Sequence, residues 1–536
     1  MEMQSWRSCV VYINGAYWGI YNIREKIGKH FIQNNAGVSR DSIHLLEKND
    51  ITIEGSRKDY RQLLRYIRSH SLEDNSYYDY VASQIDIDNY INYISSQIYF
   101  DNRDAGGNIR YWKAKNDSSK WRWILYDTDF GFGKYNKKAY MQNSLNKHTL
   151  NSGEKWPYPA WSTFLLRHLL KNKGFKEEFI LRMEDHLNTR FHPDQVLTEI
   201  DKIVNHLESE MPRHLERWNL REDKWRDELD VLRDFARNRP SYMMGFMKDH
   251  FKLGDPQLWS IRINDNSYGK VRLNTVLLKE DLRQVLYFPD YENELEAIPN
   301  EGYDFIGWLC DGDTLRNKVL RKKADLQVEI TAIFKQRPLS DLSGKLVINE
   351  IFPFGESDQE SSDWVEFYNN SDRSILLEGM LFKDSKHSYQ ITSRKKLAAG
   401  EYVVLTNNDA SSVFQDVKQR YIEVFPFGLS SQGEHLSIWD KKGMLVDSLH
   451  YTSTVKDTLL SFSLRHPELA NEDANSWDLT VLTSPGLINE KWRSELDAAA
   501  RAAEEKKRKQ LMWGGVGIVS LTGVLTLAYY FRRKRK

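Results

Sequence analysis

Hydrophobic and polar positions change their spacing along this chain, and the changes divide it into regions. In the N-terminal half, residues 87–100 have the apolar spacing of a helix. Residues 109–115 and 121–133 have the composition of two strands around a polar turn. Apolar positions at helical spacing then recur from 161 to 250. This pattern predicts a mixed α+β domain over residues 1–252.

The pattern becomes β-rich further along the chain. Short apolar runs over residues 256–337 predict a small β domain. Residues 340–489 contain many short runs separated by turn residues such as Asn369-Asn370-Ser371, which is typical of an immunoglobulin-like β-sandwich.

The C-terminus predicts attachment to a membrane. Residues 490–510 are rich in Ala, Glu, Lys and Arg and predict a helical stalk. Residues 511–531 carry no charge and have the length of a single transmembrane helix. The basic tail 532–536 has five cations against four at 506–509, which weakly favours a cytoplasmic tail.

The N-terminus begins inside a predicted hairpin. The run VVYING and the run AYWGIYNI that follows predict two strands joined by a turn. Residues 1–20 lack the basic region, apolar core and cleavage site of a signal peptide. We therefore predict a multidomain fold whose α+β domain is N-terminally truncated.

Composition narrows the function classes. Lys and Arg total 76, Asp and Glu total 76, and the net charge is zero. A general nucleic-acid binder would carry a basic excess, so no nucleic-acid partner is expected. Two cysteines, Cys9 and Cys310, exclude a disulfide framework and a cysteine-rich zinc module.

Acidic residues cluster in the predicted α+β domain. Asp101, Asp104 and Asn108 lie in a glycine-rich loop after the predicted helix. Asp127 and Asp129 end an apolar strand, where period-two alternation places both on one face. Magnesium binds one or two carboxylates together with substrate phosphates. The pattern thus leaves two interpretations, a metal–phosphate site or ordinary loop-capping aspartates.

Three ordered motifs resemble the spore-coat CotH family of atypical kinases. They are the segment 17–25, the Asp104…Asn108 loop, and the Trp123 to Gly133 strand with Asp127 and Asp129. The resemblance covers about residues 8–250 and implies a domain similar in topology to protein kinases, with ATP and Mg²⁺ as cofactors.

The resemblance also implies roles for single residues. Asp104 matches the catalytic carboxylate, although a loop one residue shorter leaves Asp101 as a competing candidate. Asn108 matches the asparagine that helps hold metal or phosphate. Asp127 and Asp129 match the paired acids of the WDxD strand as metal ligands.

Other matches concern the nucleotide phosphates. Tyr126 replaces the tryptophan of the WDxD motif. Glu25 matches a glutamate that could anchor a nucleotide-contacting lysine. A truncated domain would lack the basic residue of the family's N-terminal part, and Lys113, Lys26 and Arg24 are candidates to replace it.

Two further resemblances concern the β regions. Residues 302–308 and the ending QVEITAIF resemble divergent β repeats of bacterial surface proteins. Trp364, Glu366, Asn369 and the closing segment 484–489 resemble a lamin-tail domain. For Glu350, Asp363 and Glu366, satisfaction of strand-edge backbone groups or solvation is favoured over metal binding.

Two functional hypotheses remain open. The first is a membrane-anchored atypical protein kinase that transfers the ATP γ-phosphate to Ser or Thr of surface or coat proteins. The second is a catalytically inactive surface scaffold or adhesion protein. Because such β modules are typical of exported bacterial proteins, we expect the domains on the extracytoplasmic side.

Overall fold

The computed structural model describes residues 2–116, 118–151, 156–278, 282–300, 302–310, 312–324, 328–353, 362–407, 421–452, 460–480 and 483–507. The chain divides into two compact units, Met1–Lys335 and Gln336–Lys536. Each unit has its own hydrophobic core.

The first unit begins with strands of a mixed sheet and a hairpin. Their bounds are β1 (Glu2–Met3), β2 (Trp6–Ile13), β3 (Ala16–Arg24), β4 (Ile43–Glu47), β5 (Ile51–Glu54), β6 (Arg110–Ala114) and β7 (Arg122–Leu125). The sheet has the order β1-β7-β6-β4-β5, with β1 parallel to β7 and the remaining neighbours antiparallel. β2 and β3 form the predicted hairpin.

The first unit also contains helices, which lie between and after these strands in the chain and precede the β-rich part of the unit. Their bounds are α1 (Lys29–Ala36), α2 (Lys58–Ser69), α3 (Asn75–Gln84), α4 (Ile87–Phe100), α5 (Ser144–Thr149), α6 (Phe164–Leu169), α7 (Lys173–Asn188), α8 (Pro193–Leu207), α9 (Met211–Arg217) and α10 (Glu222–Phe251).

Both faces of the sheet are covered, which explains its apolar strands. Trp112 and Ile124 pack with Phe31 of α1 on one face. Tyr111 and Trp123 alternate with them and join the larger core on the other face. The ends of β6 and β7 are therefore held from both sides.

Helix α4 has the bounds that the sequence predicts. The Asp86 side chain caps its N-terminus by accepting a hydrogen bond from the Asn89 N–H at 3.0 Å. Ile91, Ile94 and Ile98 recur at helical spacing and are all buried. The next residues are the candidate loop, so the position of α4 determines where that loop begins.

The rest of the first unit is a pair of sheets. The strands are β8 (Gln257–Ile263), β9 (Gly269–Leu273), β10 (Val276–Leu278), β11 (Leu282–Tyr287), β12 (Glu292–Pro299), β13 (Tyr303–Cys310), β14 (Asp313–Leu315), β15 (Val319–Lys323) and β16 (Val328–Gln336). The sheet orders are β10-β9-β12-β15 and β11-β8-β16-β13-β14. Trp259 and Trp308 are fully buried in their shared core.

Helix α7 is bonded to this β region through buried acids. The Glu184 carboxylate accepts the Phe288 N–H at 2.6 Å. The Asp185 carboxylate accepts the Tyr287 hydroxyl at 2.6 Å and the Thr275 hydroxyl at 2.6 Å. Because both acids are 1% exposed, the β strands supply hydrogen bonds that water cannot.

The second unit has the predicted sandwich-like sheets. The strands are β17 (Leu346–Phe352), β18 (Trp364–Asn369), β19 (Ile375–Leu376), β20 (Leu381–Lys383), β21 (Ser388–Gln390), β22 (Lys396–Leu397), β23 (Tyr402–Thr406), β24 (Ile422–Val424), β25 (Gly433–Trp439), β26 (Leu445–Thr452), β27 (Ser461–Leu464) and β28 (Trp477–Thr480). The larger sheets have the orders β24-β23-β18-β17-β27-β28 and β21-β20-β25-β26.

Glu350 and Glu366 are fully buried in the second unit. Glu350 accepts the Ser484 hydroxyl at 2.7 Å, and Glu366 accepts the Gly486 N–H. Burial raises the pKa of both carboxyls. Their hydrogen bonds hold the closing segment 484–489, which is the backbone-satisfying role that the sequence favoured.

The predicted fold class needs one correction. No helix in the described part of the chain is long and apolar enough to cross a membrane. The helix that follows the sandwich begins at residue 490 and continues to 507, the last described residue. The predicted transmembrane helix 511–531 and basic tail 532–536 lie outside the described residues, so the architecture found here has no transmembrane segment among those residues.

Candidate active site

The candidate loop, residues 101–109, starts where α4 ends. Asp101 is the C-cap of α4 and has a left-handed conformation, with φ 48°. Its carboxylate is 2% exposed and accepts a hydrogen bond from Arg103 Nε at 3.0 Å. Burial raises the pKa of Asp101, while the nearby Arg103 and Arg239 oppose this change. Asp101 therefore lies inside the protein, at the base of the loop.

Arg239 of α10 holds the end of α4 and was not identified from the sequence. The side chain is fully buried, and burial lowers its pKa to about 10. Its guanidinium donates to the carbonyl oxygens of Ile98 and Tyr99, each at 2.9 Å. It also donates to the Gln142 carbonyl at 2.7 Å. Arg239 thus satisfies carbonyls that a helix C-terminus leaves without partners.

Asp104 and Asn108 form a direct pair within the loop. Asn108 Nδ2 donates to Asp104 Oδ2 at 2.7 Å and to the backbone carbonyl of Asp127 at 3.1 Å. The Asp104 N–H donates to Asn102 Oδ1 at 3.0 Å, which fixes the turn. One amide group therefore joins the candidate loop to the segment that follows β7.

Asp127 and Asp129 lie beyond the strand rather than on it. β7 ends at Leu125, and Asp127 has a left-handed conformation with φ 52°. The prediction that strand alternation places both acids on one strand face was wrong, because the strand is shorter than the apolar run. Both side chains are nevertheless exposed and close together, within reach of a hydrogen bond between their carboxyls.

The acids affect one another electrostatically. Partial burial raises the pKa of Asp104, and the negative charges of Asp127 and Asp129 raise it further. Partial burial and the charge of Asp129 likewise raise the pKa of Asp127. The structure therefore brings Asp104, Asn108, Asp127 and Asp129 together, and the charges of Asp127 and Asp129 make Asp104 easier to protonate.

Cations lie near this cluster. Arg24 and Arg110 both act to lower the pKa of Asp127, and Lys48 acts to lower that of Asp104. The Arg110 guanidinium lies 5.0 Å from the centre of the Tyr126 ring. Of the cations proposed from the sequence, Arg24 is near the acids. Lys113 is the cross-strand neighbour of His44, near the end of β6 that is opposite to Arg110.

Glu25 makes its hydrogen bonds to residues outside this cluster. Its carboxylate accepts the Ser5 N–H at 3.0 Å and the Asn35 side-chain amide at 3.4 Å. The hydrogen bond from Ser5 lowers the pKa of Glu25. Among the residues that the structure describes, no lysine forms an ion pair with Glu25 at 4.0 Å or less. In this structure Glu25 joins the hairpin to α1.

The acid cluster fits magnesium in its chemistry. No group of three His, Cys, Asp or Glu side chains in the described residues could hold a metal ion by itself. Magnesium does not need such a group, because it binds one or two carboxylates together with waters and substrate phosphates. Asp127 and Asp129 supply the carboxylates. Asn108 uses its Nδ2 for protein hydrogen bonds, which leaves its Oδ1 for a metal or a bound water.

The glycines of the two loops permit close packing. Phe132 N–H donates to the Phe100 carbonyl at 3.0 Å, so the segment after Asp129 packs on the end of α4. A Cβ on Gly107 would lie 2.6 Å from the Trp156 ring and 2.7 Å from Asp104 Oδ1. Trp156, which the sequence did not single out, therefore lies against the loop beside Asp104.

Two protein-family models match parts of the chain. The model for "CotH kinase protein" matches residues 1–243, and the model for "Lamin Tail Domain" matches residues 340–453. Both resemblances drawn from the sequence are thus confirmed. Neither match extends into residues 256–337, so the β-repeat resemblance is not supported.

Comparison with whole proteins adds little. None of the curated proteins matches the chain. A solved structure of a DUF4876 family protein from Bacteroides thetaiotaomicron VPI-5482 is 12% identical, with 37% of this chain and 78% of that chain covered and a TM-score of 0.16. At this TM-score the similarity carries no argument about function.

Proposed function

We propose that the CotH-like part of the chain is an atypical protein kinase that transfers the γ-phosphate of ATP to a Ser or Thr hydroxyl of a surface or coat protein. The observation that carries this proposal is the Asn108 amide, which bonds both the Asp104 carboxylate and the backbone of Asp127. Phosphoryl transfer needs a carboxylate that orients the attacking hydroxyl, with metal-binding groups at a fixed distance from it.

Asp104 is the residue that would accept the hydroxyl proton. Burial and the charges of Asp127 and Asp129 raise its pKa, which makes its carboxylate a stronger base than an isolated aspartate. The hydrogen bond from Asn108 points the carboxylate and opposes this rise of its pKa. Asp104 thereby orients the acceptor hydroxyl and receives its proton.

The remaining residues would hold the nucleotide phosphates. When bound, Mg²⁺ would neutralise phosphate charge, with Asp127, Asp129 and Asn108 as its protein partners. Arg24 and Arg110 both act on Asp127, and the charge of Arg24 can compensate phosphate oxygens, whereas Arg110 is paired with Glu47 at 3.3 Å. This arrangement separates a metal and phosphate side from the base, Asp104.

The test is binding of MgATP by the full chain, measured by calorimetry, together with phosphate transfer from labelled ATP to dephosphorylated casein and to the chain itself. We expect Asp127→Asn and Asp129→Asn to abolish magnesium-dependent ATP binding. Asp104→Asn should retain binding and lose transfer by about 100-fold or more, as removal of a general base does. The exposed Asp79 on α3 supplies a matched control, Asp79→Asn, with both properties unchanged.

Three results would contradict the proposal. Undiminished binding in both Asp127→Asn and Asp129→Asn would remove these residues as metal ligands. Full transfer by Asp104→Asn would remove the base. A chain that binds no MgATP would favour the alternative hypothesis of a catalytically inactive scaffold or adhesion protein.

A further inference from the structure

A cavity of about 430 Å³ lies beside the candidate loop. α2, α4, β6, β7 and the segment around α6 supply its walls. Ala105 and Ile109 of the loop also line it. Each follows directly after one member of the Asp104–Asn108 pair, so the candidate loop borders the cavity.

The floor of the cavity is aromatic. The Tyr60 and Tyr111 ring centres are 4.4 Å apart, and those of Tyr90 and Trp123 are 4.7 Å apart. All four rings line the cavity and are buried. Aromatic walls of this kind favour a planar ring, which can stack on them or meet them edge-on.

The charged groups of the cavity are cations. Lys48, Arg68 and Arg167 line it, and none of the described residues that line it is acidic. Within the described part of the chain, none of these cations forms an ion pair at 4.0 Å or less. Arg167 donates to the Ala160 carbonyl at 2.9 Å, and Arg68 lies 5.0 Å from the centre of the Phe164 ring. Arg68 and Arg167 therefore have no ion-pair partner among the described residues, whereas Lys48 also acts electrostatically on Asp104.

A buried amide adds a second polar feature. Gln97 of α4 lines the cavity and is 1% exposed. Its Oε1 accepts the Asn102 amide at 2.8 Å. Its Nε2 lies beside the Tyr93 hydroxyl without reaching hydrogen-bond geometry. A buried donor without a hydrogen bond costs folding free energy, and a bound acceptor would recover it.

We propose that this cavity is a binding site for an anionic ligand that carries a planar aromatic ring. The ring would lie on the tyrosine and tryptophan floor. The anion would face Arg68, Arg167 and Lys48, and an acceptor atom would reach Gln97. Because the cations repel a metal ion, the cavity is distinct in chemistry from the cluster of Asp104, Asp127 and Asp129.

Calorimetry with phenyl phosphate tests this site on the full chain, without ATP or magnesium. Inorganic phosphate has the charge without the ring, benzyl alcohol the ring without the charge, and benzylamine a ring with the opposite charge. We expect phenyl phosphate to bind at least about tenfold more tightly than each of the three.

Substitution of the cavity arginines tests whether phenyl phosphate binds in this cavity. Arg68→Gln and Arg167→Gln should each weaken phenyl phosphate binding by about fivefold or more, as expected for loss of a charge-assisted contact. Arg65→Gln, at an exposed arginine of the same helix that does not line the cavity, should leave it unchanged. Circular dichroism of each variant checks that the fold is retained.

The proposal would be overturned by any of several outcomes. These are absence of phenyl phosphate binding, equal binding of benzylamine, or binding that neither arginine substitution weakens. Loss of binding in Asp127→Asn would also overturn it, since that result would place the ligand at the acid cluster. None of these outcomes depends on whether the chain transfers phosphate.

Discussion

Gly107 occupies a position where the absence of a side chain matters. A Cβ there would lie 2.7 Å from Asp104 Oδ1 and 2.6 Å from the Trp156 ring. Gly107→Ala must therefore move Asp104 or Trp156. We expect phosphate transfer to fall by about 10- to 100-fold, because small misplacement of a reacting group is costly. The melting temperature should change little, since both contacts are side-chain ends.

A matched control for this prediction is Gly245→Ala on α10. No atom lies within 4 Å of a Cβ at that position, so transfer should be unaffected. Kinetic assays on labelled ATP measure both variants. Wild-type transfer in Gly107→Ala would mean that Asp104 tolerates displacement and is not the base.

Arg239 is the residue on which the geometry of the loop depends. Arg239→Met removes hydrogen bonds to the Ile98 and Tyr99 carbonyls at the end of α4 and to the Gln142 carbonyl. We expect a loss of about 3 kcal/mol in the free energy of unfolding of the first unit, as found when one partner of a buried charged network is removed. Urea unfolding followed by circular dichroism measures it.

The control is Arg237→Met, two residues away on the same helix. Arg237 is exposed, and its side chain forms an ion pair with Asp234 at 3.3 Å. Exposed pairs contribute little, so this variant should unfold close to wild type. Equal stability of the two variants would show that Arg239 does not support the loop.

At the scale of single residues, the sequence predicted which residues form the cluster but not the burial and the neighbouring charges of each. Asp104, Asn108, Asp127 and Asp129 lie together, as the motifs implied. Asp101 was predicted as a competing base, yet it is buried beside Arg103. Local sequence could not reveal this, because Arg239, which lies 140 residues away from Tyr99, helps to set the environment of Asp101.

Among the elements, β26 carries a carboxyl with a strong pH response. Asp447 accepts the Ile348 N–H at 2.7 Å and the Ser448 N–H at 2.9 Å. Burial of the carboxyl raises its pKa from 3.8 to about 7. The folded unit then holds a proton that the unfolded chain releases. Its free energy of unfolding should therefore fall as pH rises from about 4 to about 7, and level off above that range.

Hydrogen–deuterium exchange of the β26 amides in the full chain measures this response, after correction for intrinsic exchange. Asp447→Asn should flatten the slope, although raised pKa values at Glu350 and Glu366 leave a remainder of the same sign. The exposed Asp372 provides a control, Asp372→Asn, with the slope unchanged. Stability that rises from pH 4 to 7 would contradict the assignment.

Elements with a strong local signal were predicted well. α4 has both its cap residue and its apolar spacing in the sequence, and its predicted bounds are confirmed. β7 was predicted to extend to residue 133 but ends at Leu125. The left-handed conformation of Asp127 ends it, and the positive φ of a non-glycine residue is not visible in a hydrophobic pattern.

For the whole molecule, we predict that a fragment of residues 1–335 folds and binds MgATP as the full chain does. A fragment of residues 1–252 should be much less stable. It would lose the hydrogen bonds from the β strands to Glu184 and Asp185, and it would lose the Phe288 side chain from its core at about 1.5–3 kcal/mol. Thermal melts by circular dichroism compare the three proteins. Identical melting temperatures of 1–252 and 1–335 would show that the β region does not stabilise the α+β domain.

At this scale composition and pattern predicted the mixed α+β and β character of the chain. They did not show that two buried acids of α7 accept hydrogen bonds from residues about 100 positions later. In the sequence, Glu184 and Asp185 look like solvated helix positions. The single transmembrane helix is absent from the described architecture, and the residues on which it was predicted are not among those described.

The bonds of Arg239 to the end of α4 also have a consequence for synthesis of the protein. Arg239 bonds carbonyls of residues made much earlier, at Ile98, Tyr99 and Gln142. During translation, α10 leaves the ribosome after α4. The carbonyls at the end of α4 therefore have no hydrogen bond from Arg239 until α10 has emerged. A nascent chain halted before Arg239 would contain every acid of the cluster and still lack the side chain that holds the end of α4, where the candidate loop begins.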